Sequence, residues 1–294
     1  MQPSPLANQL VSIGQLETSS SHLDGIPADL EDSIRFAGIR LTQAAGILLR
    51  LPQEVIAHAI IVFSRFWVGP EGGSLAEHSA EHISAGSLYL AAKLSAFAKS
   101  ARSIVNVYSY LKTLPSTFYS TEDLQHKNVE DYYVSPGTYI TRRAMLYSTE
   151  QQILKVLGFQ LQVALPYTLC ITYLQALDVF THPRASELAK KAIAYLNTAL
   201  LSPQLLYLTH QPPSLATAAI YLAAKEVGVK LPDVEWWEVF DTDREELGFL
   251  VVGLLSVETF ARAEKEKWEG KQVPLNIDDV EKEINVKHAS NGQA

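Results

Sequence analysis

Apolar residues recur at three- and four-residue steps from Glu31 onward: Ile34, Ala37, Leu41, Ala44, Ala45 and Leu48. That period predicts an amphipathic helix running up to Leu51-Pro52. Pro52 suits the start of a second helix, because its missing N–H would have no partner there, and EVIAHAIIVFSRFW follows, apolar on most sides, as far as Gly69-Pro70. After GPEGGS the string ISAGSLYLAAKL has no polar stripe until Lys93. A helix apolar all round is normally enclosed by others. ARSIVNVYSYLK gives a fourth helix, residues 113–137 read as irregular chain, and a fifth helix spans Thr138 to Leu157 with Gly158 in the C-terminal position.

The second half repeats this plan. LPYTLCITYLQAL, ELAKKAIAYLNTALL, SLATAAIYLAAKEV, a short VEWWEVF and REELGFLVVGLLSVETF follow one another, the last preceded by Thr242 and Glu245 at capping-box spacing. No stretch alternates as a half-buried strand does. The string YLAAK stands at Tyr89 to Lys93 and again at Tyr221 to Lys225. In each copy the alanine pair, Ala91-Ala92 or Ala223-Ala224, allows close approach by neighbouring helices, so a duplicated unit with a central third helix accounts for both. The fold class is therefore all-α: two tandem five-helix units at residues 31–160 and 161–262. A flexible N-terminal arm, 1–30, precedes them and a charged tail, 263–294, follows.

Composition narrows the function. The formal net charge of -8 opposes nucleic-acid binding, whose affinity is built from clustered Lys and Arg. The single cysteine, Cys170, allows no internal disulfide and, within an apolar helix, reads as inert core. The opening MQPSPLANQL lacks the basic flank and apolar block of a signal peptide, and no apolar run approaches the ~20 residues that cross a bilayer. The expectation is a soluble protein in a reducing compartment, with no membrane and no direct nucleic-acid partner, and with no cofactor.

Two charges stand in apolar rows. The helical neighbours of Lys93 are Tyr89, Leu90, Ala96 and Phe97, and those of Glu150 are Leu146, Tyr147, Ile153 and Leu154. A buried charge without a partner costs on the order of several kcal/mol, so each group needs one. An internal salt bridge answers that need, as does a lysine whose stem lies on the surface with its head in water.

The strings QAAGILLRLPQ at Gln43 to Gln53, LAAK in the third helix, EQQILKVLGFQLQVALPY at Glu150 to Tyr167, and IYLAAKEVGVKLP followed by WW and VF resemble the cyclin family, most nearly its L type. The likeness runs from about Asp32 to Phe260 and includes both cyclin boxes in order. It implies a non-catalytic activating subunit, forming a heterodimer with a cyclin-dependent kinase of the PITSLRE class, nuclear, and acting in transcription and pre-mRNA processing. By motif match it also implies that Lys93 and Glu150 bind the kinase's regulatory helix, pointing toward the foreign chain rather than toward each other. Tyr89, Phe97, Tyr147 and Leu154 would add apolar contact. Lys225, the repeat copy of Lys93, reads as structural. The chain departs from the L pattern in Leu94-Ser95-Ala96-Phe97 after the lysine and in lacking an Arg/Ser-repeat tail.

Other chemistries have less support. His78-Ser79-Ala80-Glu81-His82 matches H-x-x-E-H, a zinc-peptidase spelling. About 15 Å of helical rise separates it from the Lys93 end of the same helix, and the chain predicts none of the strands such enzymes use. No nucleophile elbow, P-loop or dinucleotide fingerprint occurs. An adaptor of cyclin fold that binds proteins without activating a kinase is the alternative, with Trp236, Trp237 and Phe240 either its surface or simple packing.

Overall fold

The computed structural model describes residues 7–119, 124 and 132–291, so much of the irregular stretch expected at 113–137 lies outside the described residues. No strand occurs among them. The chain divides into two compact units, one comprising Ser12–Leu161 with the segment from Glu264 onward, the other the first eleven residues with Gln162–Ala263.

In the first unit, α1 (Ile13–Glu17) and α2 (Ser20–Leu23) lead into α3 (Ala28–Leu48), α4 (Gln53–Phe66), α5 (Ala80–Leu94), α6 (Ala101–Leu111) and α7 (Pro136–Val156). Helix α3 buries Leu30, Ile34, Ala37, Leu41, Ala44 and Ala45, the row its periodicity marks. Helix α5 is central, packed against α3, α4, α6 and α7. Its Gly86 allows a close approach to α7: a Cβ built there would lie 2.8 Å from Ile153 Cδ1 and 2.9 Å from Thr149 Cγ2. Those two residues, with Leu146, are the only buried ones of the 21 in α7.

The second unit contains α8 (Tyr167–Ala176), α9 (Ala185–Ala199), α10 (Leu206–Thr209), α11 (Pro212–Val227) and α12 (Arg244–Lys267), with 3-10 turns at Val179–Thr181 and Trp236–Phe240. Helix α11, the second YLAAK helix, is buried on most sides and packs on α8 and α9. The cap of α12 differs from the expected capping box at Thr242: the Glu246 N–H donates to Asp243 Oδ1 at 2.8 Å, and Thr242 turns back to the Phe240 carbonyl at 3.3 Å. The division between units falls inside α12, after Ala263.

Both terminal segments pack against the compact units. Residues 12–26 lie on the first unit, where the Ser19 hydroxyl donates to Glu31 Oε2 at 2.8 Å and also caps His22 N, while Ile26 and Ser21 are fully buried. Residues 7–11 belong instead to the second unit. There the Asn8 side-chain amide donates to Ala164 O at 2.9 Å and its oxygen accepts from Ala164 N at 2.8 Å, while Gln211 bonds both backbone groups of Asn8 at 2.9 Å. The segment after Glu264 buries Trp268, Val273 and Val280 on the first unit and continues as α13 (Ile277–Asn291). Lys287 reaches Asp29 at 2.6 Å, and the Ser79 hydroxyl donates to the Leu275 carbonyl at 2.9 Å. Paired polar groups and buried apolar ones thus hold segments whose sequences show no helical stripe.

Candidate partner-binding face

Lys93 lies in the last turn of α5, and Glu150 lies past the middle of α7. Glu150 directly follows Thr149, the residue that Gly86 faces, and Lys93, about 10 Å of helical rise beyond Gly86, reaches back over the Tyr89 ring toward it. Lys93 Nζ donates to Glu150 Oε1 at 2.6 Å. The expectation that amine and carboxylate point away from each other is therefore corrected: in the free chain the two pair. The pair is not sealed, since the Lys93 side chain keeps 45% of its exposure and Glu150 14%. The hydrogen bond to Glu150 holds the Lys93 ammonium above its ordinary range, against a smaller opposing effect of desolvation.

Of the other site residues predicted from the sequence, Tyr89 and Tyr147 meet at this pair, and Phe97 and Leu154 follow it along the chain. Tyr89 is buried beneath it, with the Lys93 ammonium 5.0 Å from its ring centroid, a cation–π distance. The Tyr147 ring lies 6.2 Å from that of Tyr89 and is itself exposed. Phe97 is exposed, just beyond the end of α5, and Leu154 is half-buried one turn after Glu150. Tyr89 is thus a support of the face, and Phe97 and Tyr147 belong to its surface.

Sequence reasoning passed over two further apolar groups. Leu94 is exposed beside Lys93, and Phe159 stands 73% exposed just after α7. Gly158 and Phe159 are both in the left-handed region, at φ 54° and 62°. A bulky aromatic residue held there is strained, and strain of order 1–3 kcal/mol persists where the surroundings impose it. Gly158 signalled the helix end, but no local pattern indicated that the next side chain would be forced outward.

The remaining candidates resolve into packing. The His78 ring meets Phe66 edge-on at 5.2 Å, and Glu81, the base of the zinc reading, is paired with Lys112 at 3.2 Å. His82 lines a cavity of about 630 Å³ beside Arg142 and Lys112. Burial pushes the pKa of both histidines down, and no cluster of three or more metal-ligating side chains exists among the described residues. Trp236 is buried and Phe240 stacks on Tyr173 at 3.9 Å, so the aromatic 3-10 turn packs inward. Cys170 is fully buried, and burial raises its thiol to about 12. Lys225 is exposed, and the ion pair next to it, Glu226 to Lys191 at 2.6 Å, runs to α9.

Two all-helical units, each built round a YLAAK helix, define a cyclin-fold protein. No family model matches the chain, but individual proteins do. It is 30% identical over 267 residues to Cyclin-L1 of Gallus gallus, covering 90% of this chain and 47% of that protein. It is 31% identical over 255 residues to Cyclin-L2 of Mus musculus, covering 86% and 46%. The chain thus spans about half the length of the curated relatives it matches. Among solved structures, a chain of the yeast RNA Pol II CTD kinase CTDK-1 complex superposes with TM-score 0.67 at 12% identity, over 97% of this chain and 84% of that one. A chain of the CAK complex of Chaetomium thermophilum bound to ATP-gamma-S gives TM-score 0.54 at 14% identity, over 87% and 77%. The chain belongs to the cyclin family. Within it, the sequence is similar to the L-type cyclins.

Proposed function

We propose that this chain is the non-catalytic regulatory subunit of a transcription-linked cyclin-dependent kinase, binding it through the ends of α5 and α7. The observation that carries the reading is the state of α7: a 21-residue helix with three buried residues, flanked by exposed Leu94, Phe97, Tyr147 and Phe159 around an open ion pair. A long helix that is packed on α5 and α6 yet so little covered leaves surface free for further packing, and exposed apolar side chains grouped on a surface mark interaction sites. The two solved relatives in fold come from kinase complexes, which supports a kinase as the partner.

On binding, the pair opens. The Lys93 ammonium donates to backbone carbonyls of the partner's regulatory helix region, and the Glu150 carboxylate accepts from its N–H groups. Binding favours the kinase state whose regulatory-helix glutamate pairs with the ATP-site lysine, a population shift worked through a surface. Transfer of phosphate from ATP to Ser/Thr belongs to the kinase. In this reading the two compact units are the two cyclin boxes, the location is nuclear, the role lies in transcription and RNA processing, and the kinase is of the PITSLRE class.

Affinity purification of the tagged chain with identification of the bound kinase tests this. Recovery of a cyclin-dependent kinase with wild type, and its loss with K93A/E150A, is the expected result. Stable partners without any kinase would point to an adaptor instead.

A further inference from the structure

The chain carries a net charge of -8, yet one part of the first unit gathers cations on an aromatic ring. Tyr139 lies near the start of α7, with the Arg102 guanidinium of α6 at 4.0 Å from its ring centroid and that of Arg143 at 5.4 Å. Both arginines are exposed. Neither forms an ion pair with a carboxylate among the described residues, whereas Lys93, Lys112, Arg184 and Lys191 each do. Two guanidiniums packed on one ring lose rotamer freedom before any ligand arrives, and their planar forks match phosphate oxygens in bidentate fashion. Arg102 stands in the first turn of α6 and Tyr139 near the N-terminus of α7, so the positive ends of two helix dipoles add to the field.

Position favours a phosphate on a protein segment. Arg143 precedes Glu150 by seven residues on one helix, about 10 Å of rise, and Arg102 follows Phe97 by five residues. The cluster thus shares α7 with the face assigned to the partner, about two turns before Glu150. We propose that Arg102, Arg143 and Tyr139 form a docking site for a segment of that partner bearing phosphoserine or phosphothreonine. The source of the segment rests on the partner reading above; the affinity for a phosphorylated peptide does not.

The test is a fluorescence-anisotropy titration of the whole chain with a short labelled Gly/Ser peptide carrying one central phosphothreonine, beside its unphosphorylated twin. The phosphorylated form binds at least about tenfold tighter, with affinity falling as salt rises. R102A/R143A abolishes that preference at unchanged circular dichroism, and R102K/R143K, which keeps charge but loses the fork, retains only part of it. Equal binding of the twins, or a preference that survives R102A/R143A, overturns the site. Tighter binding of labelled oligouridylate than of the phosphopeptide overturns it in favour of a nucleic-acid surface. With the kinase recovered as described above, phosphatase treatment lowers its capture by wild type but not by R102A/R143A; equal capture of treated and untreated kinase by wild type overturns the kinase as the source. If no kinase is captured in either form, the partner reading and the source both fall, while the peptide titration still decides the site.

Discussion

Gly86 and Thr149 meet across α5 and α7 so closely that a methyl group on the glycine would come within 2.9 Å of the threonine Cγ2. Threonine is β-branched and cannot swing away cheaply, so this contact fixes the register that brings the neighbouring Glu150 to Lys93. G86V is expected to force the helices apart, costing about 1–3 kcal/mol through overpacking. A lowered thermal midpoint accompanied by weaker partner capture is the predicted outcome. Unchanged capture at lowered stability would show that the register does not matter to binding.

The ion pair itself contributes little to folding. Lys93 keeps almost half of its exposure, and open pairs are worth about 0–1 kcal/mol. A double-mutant cycle on urea unfolding with K93A, E150A and both together should therefore give a coupling below about 1 kcal/mol. Partner affinity, by contrast, should drop by about tenfold or more in each single variant, a loss of ~1.4 kcal/mol. A coupling of several kcal/mol with unaltered affinity would make the pair a structural lock and remove it from the partner face.

The parts of this arrangement legible in the sequence are those with a local period. Ile34, Ala37 and Leu41 repeat every turn, so α3 and its buried face could be drawn from spacing alone, and the twin YLAAK strings gave both central helices. The meeting of Lys93 with Glu150 joins positions 57 residues apart. Periodicity placed each charge in an apolar row but could not say that the rows face one another. The terminal segments were harder still. The first is held by Ser19 on Glu31 and by Asn8 on Ala164, bonds spanning 12 and 156 residues between polar groups. A window that looks for apolar stripes passes over them, since their stability comes from satisfying buried polar atoms.

The C-terminal segment offers a direct measure of that distinction. Its Val280 is buried on the first unit, while Lys287 meets an exposed Asp29 at 2.6 Å. Val280→Asp places a charge in an apolar contact and should release the segment, lowering the stability of the first unit by several kcal/mol. D29N removes the charge that faces Lys287 at 2.6 Å and Lys267 at 3.5 Å, both open pairs, and should cost about 1 kcal/mol or less at neutral pH. The hydrogen bond from Lys287 holds the Asp29 carboxyl below its ordinary 3.8, so that contribution is present above pH 3.8 and fades as pH falls through the lower folded value. Limited proteolysis between Ala263 and Ile277, rapid in V280D and slow in D29N, checks both.

Histidine burial sets the dependence on milder acid. His58, His78, His82 and His210 all have pKa values below the ordinary 6.5, with desolvation the largest cause in each. His58 is the best defined: its Nε2 lies 2.7 Å from the Leu161 carbonyl, which favours the protonated form but less strongly than burial opposes it. The unfolded chain therefore takes up protons near pH 6.5 while the folded chain still resists. Stability is complete above 6.5 and declines as pH falls from there through the depressed folded values. Thermal midpoints measured between about pH 8 and pH 5 should fall with acidification, and H58Q, whose amide can still donate to Leu161 without titrating, should flatten part of the slope. A midpoint that rises on acidification would reverse the sign and require that these rings gain a proton on folding.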